Sequence, residues 1–426
     1  MRSLYLRPPV TGRRARIHVP GDKSISHRAL LFAALASGRT HIIGPNRGLD
    51  VLATARALRA LGVVVRRTQL GFTVIGGAFA DPRRVIDCGN SGTTIRLLAG
   101  ALAGRVDAQL DGDASLRRRP MSRITGPLAL MGARIGSHKG YPPLRIFRSR
   151  DSLRPIRYVI PVASAQVASA LVIAALAARG PSTFVQKATT RDHTQRLLLA
   201  MGAKLRCEGR TLRVWPSRLR AVARLRVPGD VSAAVYMLCA AATLQGTQLV
   251  VRDVGVNPTR TAALDLLRRM GATVTLSRRR TWTNEPVADL RITGGQALRN
   301  VVVPERLVPI LIDEIPALCA LATIARGTLC VRNAAELRVK ESDRIETTVR
   351  LLRSFGADAR GLEDGIVVRG GGPLRAPRNV RTFGDHRIGF AAAILAAASR
   401  TGITIRDSAC MATSFPGFAR VWREAF

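Results

Sequence analysis

Lysine is nearly absent: of 67 basic residues only five are lysines, Lys23, Lys139, Lys187, Lys204 and Lys340. In a chain that uses arginine almost everywhere else, a lysine kept inside a motif marks a place for a compact point charge or a proton donor, since arginine is a poor proton carrier. Acidic residues are also scarce, 28 against 67 basic, for a formal net charge of +39. Such a charge invites a nucleic-acid partner. Yet the basic residues are spread along the whole chain, and aromatics are only 4%, too few for a base-stacking platform. Specific nucleic-acid binding is therefore not expected. Histidine and cysteine number six each, and the cysteines form no CxxC pair. Neither a disulfide framework nor a metal site is expected. Cys88 lies beside a glycine loop with no base near it in sequence, and reads as a buried, unreactive thiol. Long hydrophobic runs are missing too. The longer ones, such as Leu171–Ala178 and Phe390–Ala398, are far too short to span a bilayer. The basic N-terminal stretch has no apolar core of a secretory signal. A cytoplasmic protein without a membrane partner is the expectation. What is abundant is apolar: 47% of 426 residues, enough for two domains with sizeable cores.

Within that apolar material one pattern recurs. PGDKSISHRALLFAALASG (Pro20–Gly38) sets a Gly-Asp turn, hydroxyls, Lys23 and Arg28 ahead of an apolar run, with Asp22, Ser24 and Ser26 as possible N-caps. Exposed N–H groups at a helix start, with hydroxyls and cations, favour anions. Turns of small residues opening apolar helices recur at Gly89–Gly104, Ser164–Gly180, Gly229–Gly246, Ile312–Gly327 and Gly384–Gly402. A second helix ending in Leu-x-x-x-Gly-Ala or a close variant follows the first five, at Leu58–Val65, Leu128–Ile135, Leu198–Leu205, Leu266–Val274 and Leu351–Ala359. The glycine should close each helix, and the β-formers after it read as strands. Each unit is then strand, helix, strand, helix, strand, strand, an α/β (α+β) repeat. The sixth unit lacks strands, which Leu4–Tyr5 and Ile17–Val19 could supply. Three units per domain gives one domain of residues 1–20 plus 228–426 and another of 21–227. Facing helix starts would form a cleft that closes on a highly charged ligand.

Several stretches carry chemistry. DCGNSGTTIR (Asp87–Arg96) packs glycines and donors before a helix, and suits a phosphate or carboxylate without matching a nucleotide P-loop. LRRRPM (Leu116–Met121) supplies three arginines, and SAQ (Ser164–Gln166) a hydroxyl and an amide. IDE places Asp313 and Glu314 at a helix mouth, as caps or as a base among cations. In LRVKESDRI (Leu337–Ile345), Lys340, Glu341 and Arg344 would share one face if the segment is helical, as a site or as a surface salt-bridge ladder. GDHR (Gly384–Arg387) adds a cation at the sixth helix start.

These motifs, with RDHT (Arg191–Thr194) and TSFP (Thr413–Pro416), stand in the order found in the 5-enolpyruvylshikimate-3-phosphate synthase family, which the chain resembles from residue 20 nearly to its end. The resemblance implies a two-domain inside-out α/β barrel of six βαβαββ units with an interdomain active site. It implies transfer of the enolpyruvyl group of phosphoenolpyruvate to the 5-hydroxyl of shikimate-3-phosphate, with no cofactor, in a monomer. By the same resemblance, Lys23, Ser24, Arg28, Ser164, the Ala165 backbone, Gln166, Arg191, Asp313 and Lys340 would hold shikimate-3-phosphate. Lys23, Gly92, Arg119, Gln166, Arg344 and Arg387 would hold phosphoenolpyruvate. Asp313 would take the hydroxyl proton, while Glu341, with Lys23, would serve the methylene carbon as acid and base. Gly92, without a side chain, would leave room for glyphosate, the family's inhibitor. The chain departs from many relatives at Thr413, Glu336 and Ala233, where lysine, asparagine and serine are common. Two other readings are a UDP-N-acetylglucosamine enolpyruvyl transferase and an RNA-binding or RNA-phosphate-processing protein of similar repeats. The first usually bears a reactive cysteine in a loop that corresponds to Gly112–Pro120, where this chain has none.

Overall fold

A computed structural model describes residues 3–426 of the chain, which divide into two units, each with its own apolar core. One unit is Gly21–Val227 with Trp282–Glu285. Its inner layer is three helices whose apolar residues are continuous rather than striped, so they bury nearly all round. Lys23–Leu35 starts where Asp22 Oδ1 accepts the Ile25 N–H at 2.8 Å, and buries every residue from Ile25 to Ala34. Gly92–Leu102 and Ala165–Ala175 begin at Ser91 and Ser164, whose hydroxyls accept the N–H of Thr94 and Val167. These two helices approach so closely that a Cβ added at Gly100 would lie 2.2 Å from the Ala170 carbonyl oxygen.

Outside them lie Leu49–Ala60, Ser122–Leu130 and His193–Ala200, closed by Gly62, Gly132 and Gly202 at φ of +83°, +91° and +83°. Only glycine enters that region without strain, which is why the Gly-Ala signature ends a helix each time. Three four-stranded sheets cover the helices. One complete run is Arg157–Ile160, the Ala165–Ala175 helix, Ser182–Gln186, the His193–Ala200 helix, Leu205–Glu208 and Thr211–Val214. Another sheet takes Arg224–Arg226, from the far end of the unit's sequence, as a parallel edge beside Gly38–Ile43. The four residues 282–285 also belong to this unit, whereas the sequence boundaries assign all of 228–426 to the other. The Arg226 guanidinium lies 4.0 Å over the Trp282 ring, and buried His193 Nδ1 lies 2.7 Å from Glu285 Oε1.

The other unit comprises Met1–Pro20, Pro228–Thr281 and Pro286–Phe426. Val231–Ala242, Ile315–Ala322 and His386–Ser399 are its buried inner helices. Leu4–Leu6 pairs antiparallel with Ile403–Arg406, so the first of the two N-terminal strands joins the sheet of the C-terminal segment, as expected. Arg14–His18 does not join it. It pairs parallel with the strand Gln248–Gly255, placing buried Ile17 opposite buried Val251. Burial of Ile17 decides the matter, since one register puts it in the core beside the Val231–Ala242 helix.

Candidate active site

In the unit of Gly21–Val227 the starts of two inner helices carry the first cluster. Lys23, the first residue of its helix, is largely buried and its Nζ lies 3.0 Å from Asp50 Oδ2. Arg28, one turn on, is buried; it donates to Thr194 Oγ1 (2.7 Å), Ser169 Oγ (2.7 Å) and the Ser24 carbonyl (3.0 Å). Those bonds join it to the helix of Ser164–Gln166 and to the helix opened by the RDHT motif, whose Arg191 stands two residues before His193.

The second cluster surrounds Gly92. Arg119 Nη2 donates to Asn90 Oδ1 at 2.8 Å, and Arg96 Nη1 donates to Gln166 Oε1 at 2.6 Å. Gln166 Nε2 donates in turn to Thr93 Oγ1 at 3.0 Å. A Cβ on Gly92 would sit 2.9 Å from Arg96 Nη1 and 3.1 Å from Arg119 Nη1, so the missing side chain is what lets two guanidinium groups converge over a helix start. Two cations above a helix start form an anion seat. Cys88 beneath the loop is buried, and burial pushes its thiol far above the ordinary range.

In the other unit Asp313 and Arg344 are central. Arg344 is buried, with Nη1 3.1 Å from Asp313 Oδ1, Nη2 2.6 Å from Glu341 Oε2 and Nε 2.8 Å from Asp385 Oδ2. Burial alone would lower its affinity for the proton, but the charges of Asp385, Glu341 and Asp313 more than reverse this and raise it well above the ordinary value. Arg387 Nη2 lies 3.9 Å from Asp313 Oδ2, and its guanidinium stacks 5.7 Å over the Tyr236 ring. The Tyr236 hydroxyl donates to the Asp313 carbonyl at 3.2 Å, and burial raises its pKa, so it stays protonated as a donor. Below, Arg260 donates to Ser232 Oγ at 2.7 Å and approaches Asp230 and Glu314, while Ser232 donates to Glu314. Asp313 is thus held at both ends, by its carboxylate and by its own backbone.

Two sequence expectations are corrected here. Lys340, Glu341 and Arg344 do not share a helical face: Ala335–Val339 is a short 3-10 turn, Lys340 is extended, and the α-helix begins only at Arg344. Asp343 causes this, because its carboxylate accepts the N–H of Ile345 and Glu346 and so fixes the helix start after Glu341. Asp313 and Glu314 make no side-chain cap on the helix that follows. Lys340 Nζ lies 3.4 Å from Glu336 Oε1. Burial lowers the Lys340 pKa, an effect only partly opposed by Glu336 and Asp313.

Asp50, Arg96, Thr93 and Asp385 join these clusters without having been singled out from sequence as site residues. Asp385 lay within the quoted GDHR motif as an acid at a helix start. Nothing local marks Asp50, which meets Lys23 only through the fold. Among the described residues no group of three or more His, Cys, Asp or Glu side chains is placed to hold a metal ion, and no helix is long and apolar enough to cross a membrane.

Comparison with known proteins gives a consistent picture. A profile of the family described as EPSP synthase (3-phosphoshikimate 1-carboxyvinyltransferase) matches residues 9–422. The 3-phosphoshikimate 1-carboxyvinyltransferase of Desulforudis audaxviator (strain MP104C) is 45% identical, over 96% of this chain and 96% of its own. That of Streptococcus equi subsp. zooepidemicus (strain H70) is 43% identical, over 99% and 100%. The solved structure of EPSP synthase from Acinetobacter baumannii aligns with a TM-score of 0.87 at 39% identity, covering 99% of this chain and 98% of that one. The enolpyruvyl transferase NikO from Streptomyces tendae aligns with a TM-score of 0.78 at 16% identity, over 99% and 96%, a likeness of fold alone. The UDP-N-acetylglucosamine and RNA readings are not favoured by these relatives.

Proposed function

The chain belongs to the EPSP synthase family, and from that premise we propose how its residues divide the work. The enzyme joins the enolpyruvyl group of phosphoenolpyruvate to the 5-hydroxyl of shikimate-3-phosphate in aromatic amino-acid biosynthesis. A bond forms between the 5-oxygen and C2 of phosphoenolpyruvate, the C2–O bond to phosphate breaks, and inorganic phosphate leaves after a tetrahedral adduct.

Shikimate-3-phosphate is held by Lys23, Ser24, Arg28, Ser164, the Ala165 backbone, Gln166, Arg191, Asp313 and Lys340. Phosphoenolpyruvate is held by Lys23, Gly92, Arg119, Gln166, Arg344 and Arg387. Together the two ligands bring about five to six negative charges at neutral pH. Each charge-assisted hydrogen bond to them contributes about 1.5–3 kcal/mol. Asp313 accepts the 5-hydroxyl proton. Glu341, with Lys23, delivers a proton to the methylene carbon as the adduct forms and removes one as phosphate departs. The observation that carries this reading is Asp313 held between two guanidinium groups, 3.1 Å from Arg344 and 3.9 Å from Arg387, with Glu341 on the same Arg344. Two carboxylates beside cations suit a base and an acid acting on anionic substrates, which supports the reading.

The finer architecture is an inside-out α/β barrel of six βαβαββ units, three in residues 1–20 plus 228–426 and three in 21–227. The run 157–214 supports it as one whole repeat. The enzyme works as a cytoplasmic monomer without cofactor, specific nucleic acid or membrane. A coupled phosphate-release assay tests the function. Release that requires both shikimate-3-phosphate and phosphoenolpyruvate is expected, and release from phosphoenolpyruvate alone would contradict it.

A further inference from the structure

His27 stands within the first motif, yet the chemistry above gives it no role. It is buried at 1% exposure, one turn after Lys23 on the Lys23–Leu35 helix. Its Nδ1 lies 2.7 Å from Thr54 Oγ1, and Thr54 Oγ1 lies 2.7 Å from Thr94 Oγ1. Thr94 Oγ1 is 2.8 Å from Ser91 Oγ, the N-cap of the Gly92–Leu102 helix, and 3.4 Å from the carbonyl of Asp50, the partner of Lys23. Thr54, Thr94 and Ser91 are all buried. A continuous chain of hydrogen bonds therefore runs from the helix of Lys23 to the start of the helix of Gly92.

The direction of that chain follows from the ring. Burial, with Lys23 and Arg28 nearby, pushes the imidazole pKa well below its ordinary value, so the ring is neutral and carries one N–H. Nε2 is buried with no hydrogen-bond partner. An orphaned buried N–H is rarer and costlier than an orphaned acceptor, so the proton resides on Nδ1. The Nδ1–H then donates to Thr54, Thr54 donates to Thr94, and Thr94 donates to Ser91. Each hydroxyl has one proton, so fixing the first donor turns the Thr54 proton to Thr94, whose own proton has Ser91 Oγ at 2.8 Å as its nearer acceptor and the Asp50 carbonyl at 3.4 Å as its farther one. Meanwhile the far, C-terminal end of the Gly92–Leu102 helix is fixed elsewhere, at the close approach of Gly100 to Ala170. One contact leaves a helix free to pivot, and a second, near its start, does not.

We propose that His27 is a positioning residue that sets the place of the Gly92 helix start through Thr54 and Thr94, and thereby the affinity for phosphoenolpyruvate rather than for shikimate-3-phosphate. This rests on the reading that the Gly92 start and Arg119 hold phosphoenolpyruvate. The test compares Thr54→Val, which keeps the volume but breaks the chain, with Thr54→Ser, which keeps the hydroxyl. Thr54→Val is expected to raise the phosphoenolpyruvate KM about three- to tenfold, with the shikimate-3-phosphate KM within about twofold of wild type and Thr54→Ser restoring both. His27→Leu, which removes the first donor, should reproduce the split. An unchanged phosphoenolpyruvate KM in Thr54→Val, an equal rise in both KM values, or a Thr54→Ser variant as impaired as Thr54→Val would overturn the proposal. So would loss of the cooperative thermal transition in both Thr54→Val and His27→Leu, because the chain would then hold the fold and not the helix start. Arg119→Ala is measured alongside. If it leaves the phosphoenolpyruvate KM unchanged, the underlying ligand assignment fails; if it raises that KM while Thr54→Val does not, only the role of His27 fails.

Discussion

Arg344 shows how one residue's environment is arranged for its task. Its three nitrogens meet Asp313, Glu341 and Asp385, so its charge orders two of the proposed proton-transfer groups. Lys23 and Arg119 are placed differently, at helix starts where an anion would meet N–H groups as well as the cation. Lys23→Ala and Arg119→Ala should each lower kcat/KM by about 10- to 100-fold, while Arg39→Ala, on an exposed strand residue, should change it less than about twofold. Steady-state kinetics with both substrates checks this, and near-normal activity in either site variant would contradict it. Lys340 gives a pH prediction. Its folded pKa lies below the ordinary 10.5, so its cation is lost at a lower pH than that of a free lysine. The KM for shikimate-3-phosphate should therefore climb with rising pH before pH 10.5, and in Lys340→Met it should be high and flat over that range. A pH series of initial rates measures it, and a wild-type KM constant across the alkaline range would count against the assignment.

At the scale of elements, the inner helices are set by small residues as much as by large ones. Gly100 permits the Gly92–Leu102 helix to touch the Ala170 carbonyl, and Gly92 permits two arginines to meet above its first turn. Gly100→Ala should destabilise the fold by about 1–3 kcal/mol through overpacking against backbone that cannot move aside. Denaturant unfolding reads this directly, and a change below about 0.5 kcal/mol would mean the two helices separate at little cost. Helix boundaries were legible where a side chain capped the start and glycine closed the end, as at Asp22 and at Gly62. They were not legible at Lys340–Arg344. There the spacing of charges fits a helix, but the carboxylate of Asp343 captures the N–H groups of Ile345 and Glu346 and starts the helix later.

For the whole molecule, a net charge of +39 acts on small polyanions before any contact is made. Raising salt from about 0.01 M to about 0.15 M shortens the screening length from about 30 Å to about 8 Å. The kcat/KM for shikimate-3-phosphate should fall several-fold over that range while kcat changes by less than about twofold. Assays at graded ionic strength test this, and an unchanged kcat/KM would show that the excess arginine does not steer substrate.

The sequence alone determined the apolar inner helices, the left-handed glycines that end the outer ones and the set of cations and carboxylates proposed to meet the ligands. Each of these is a local matter of periodicity, capping or backbone freedom. Only the tertiary structure decided that Lys23 meets Asp50, that Asp385 orients Arg344, that Arg14–His18 pairs with Gln248–Gly255, and that residues 282–285 join the unit of Gly21–Val227. Those outcomes depend on burial and on donors and acceptors far apart in the chain, where no local spacing records which partner will satisfy which group.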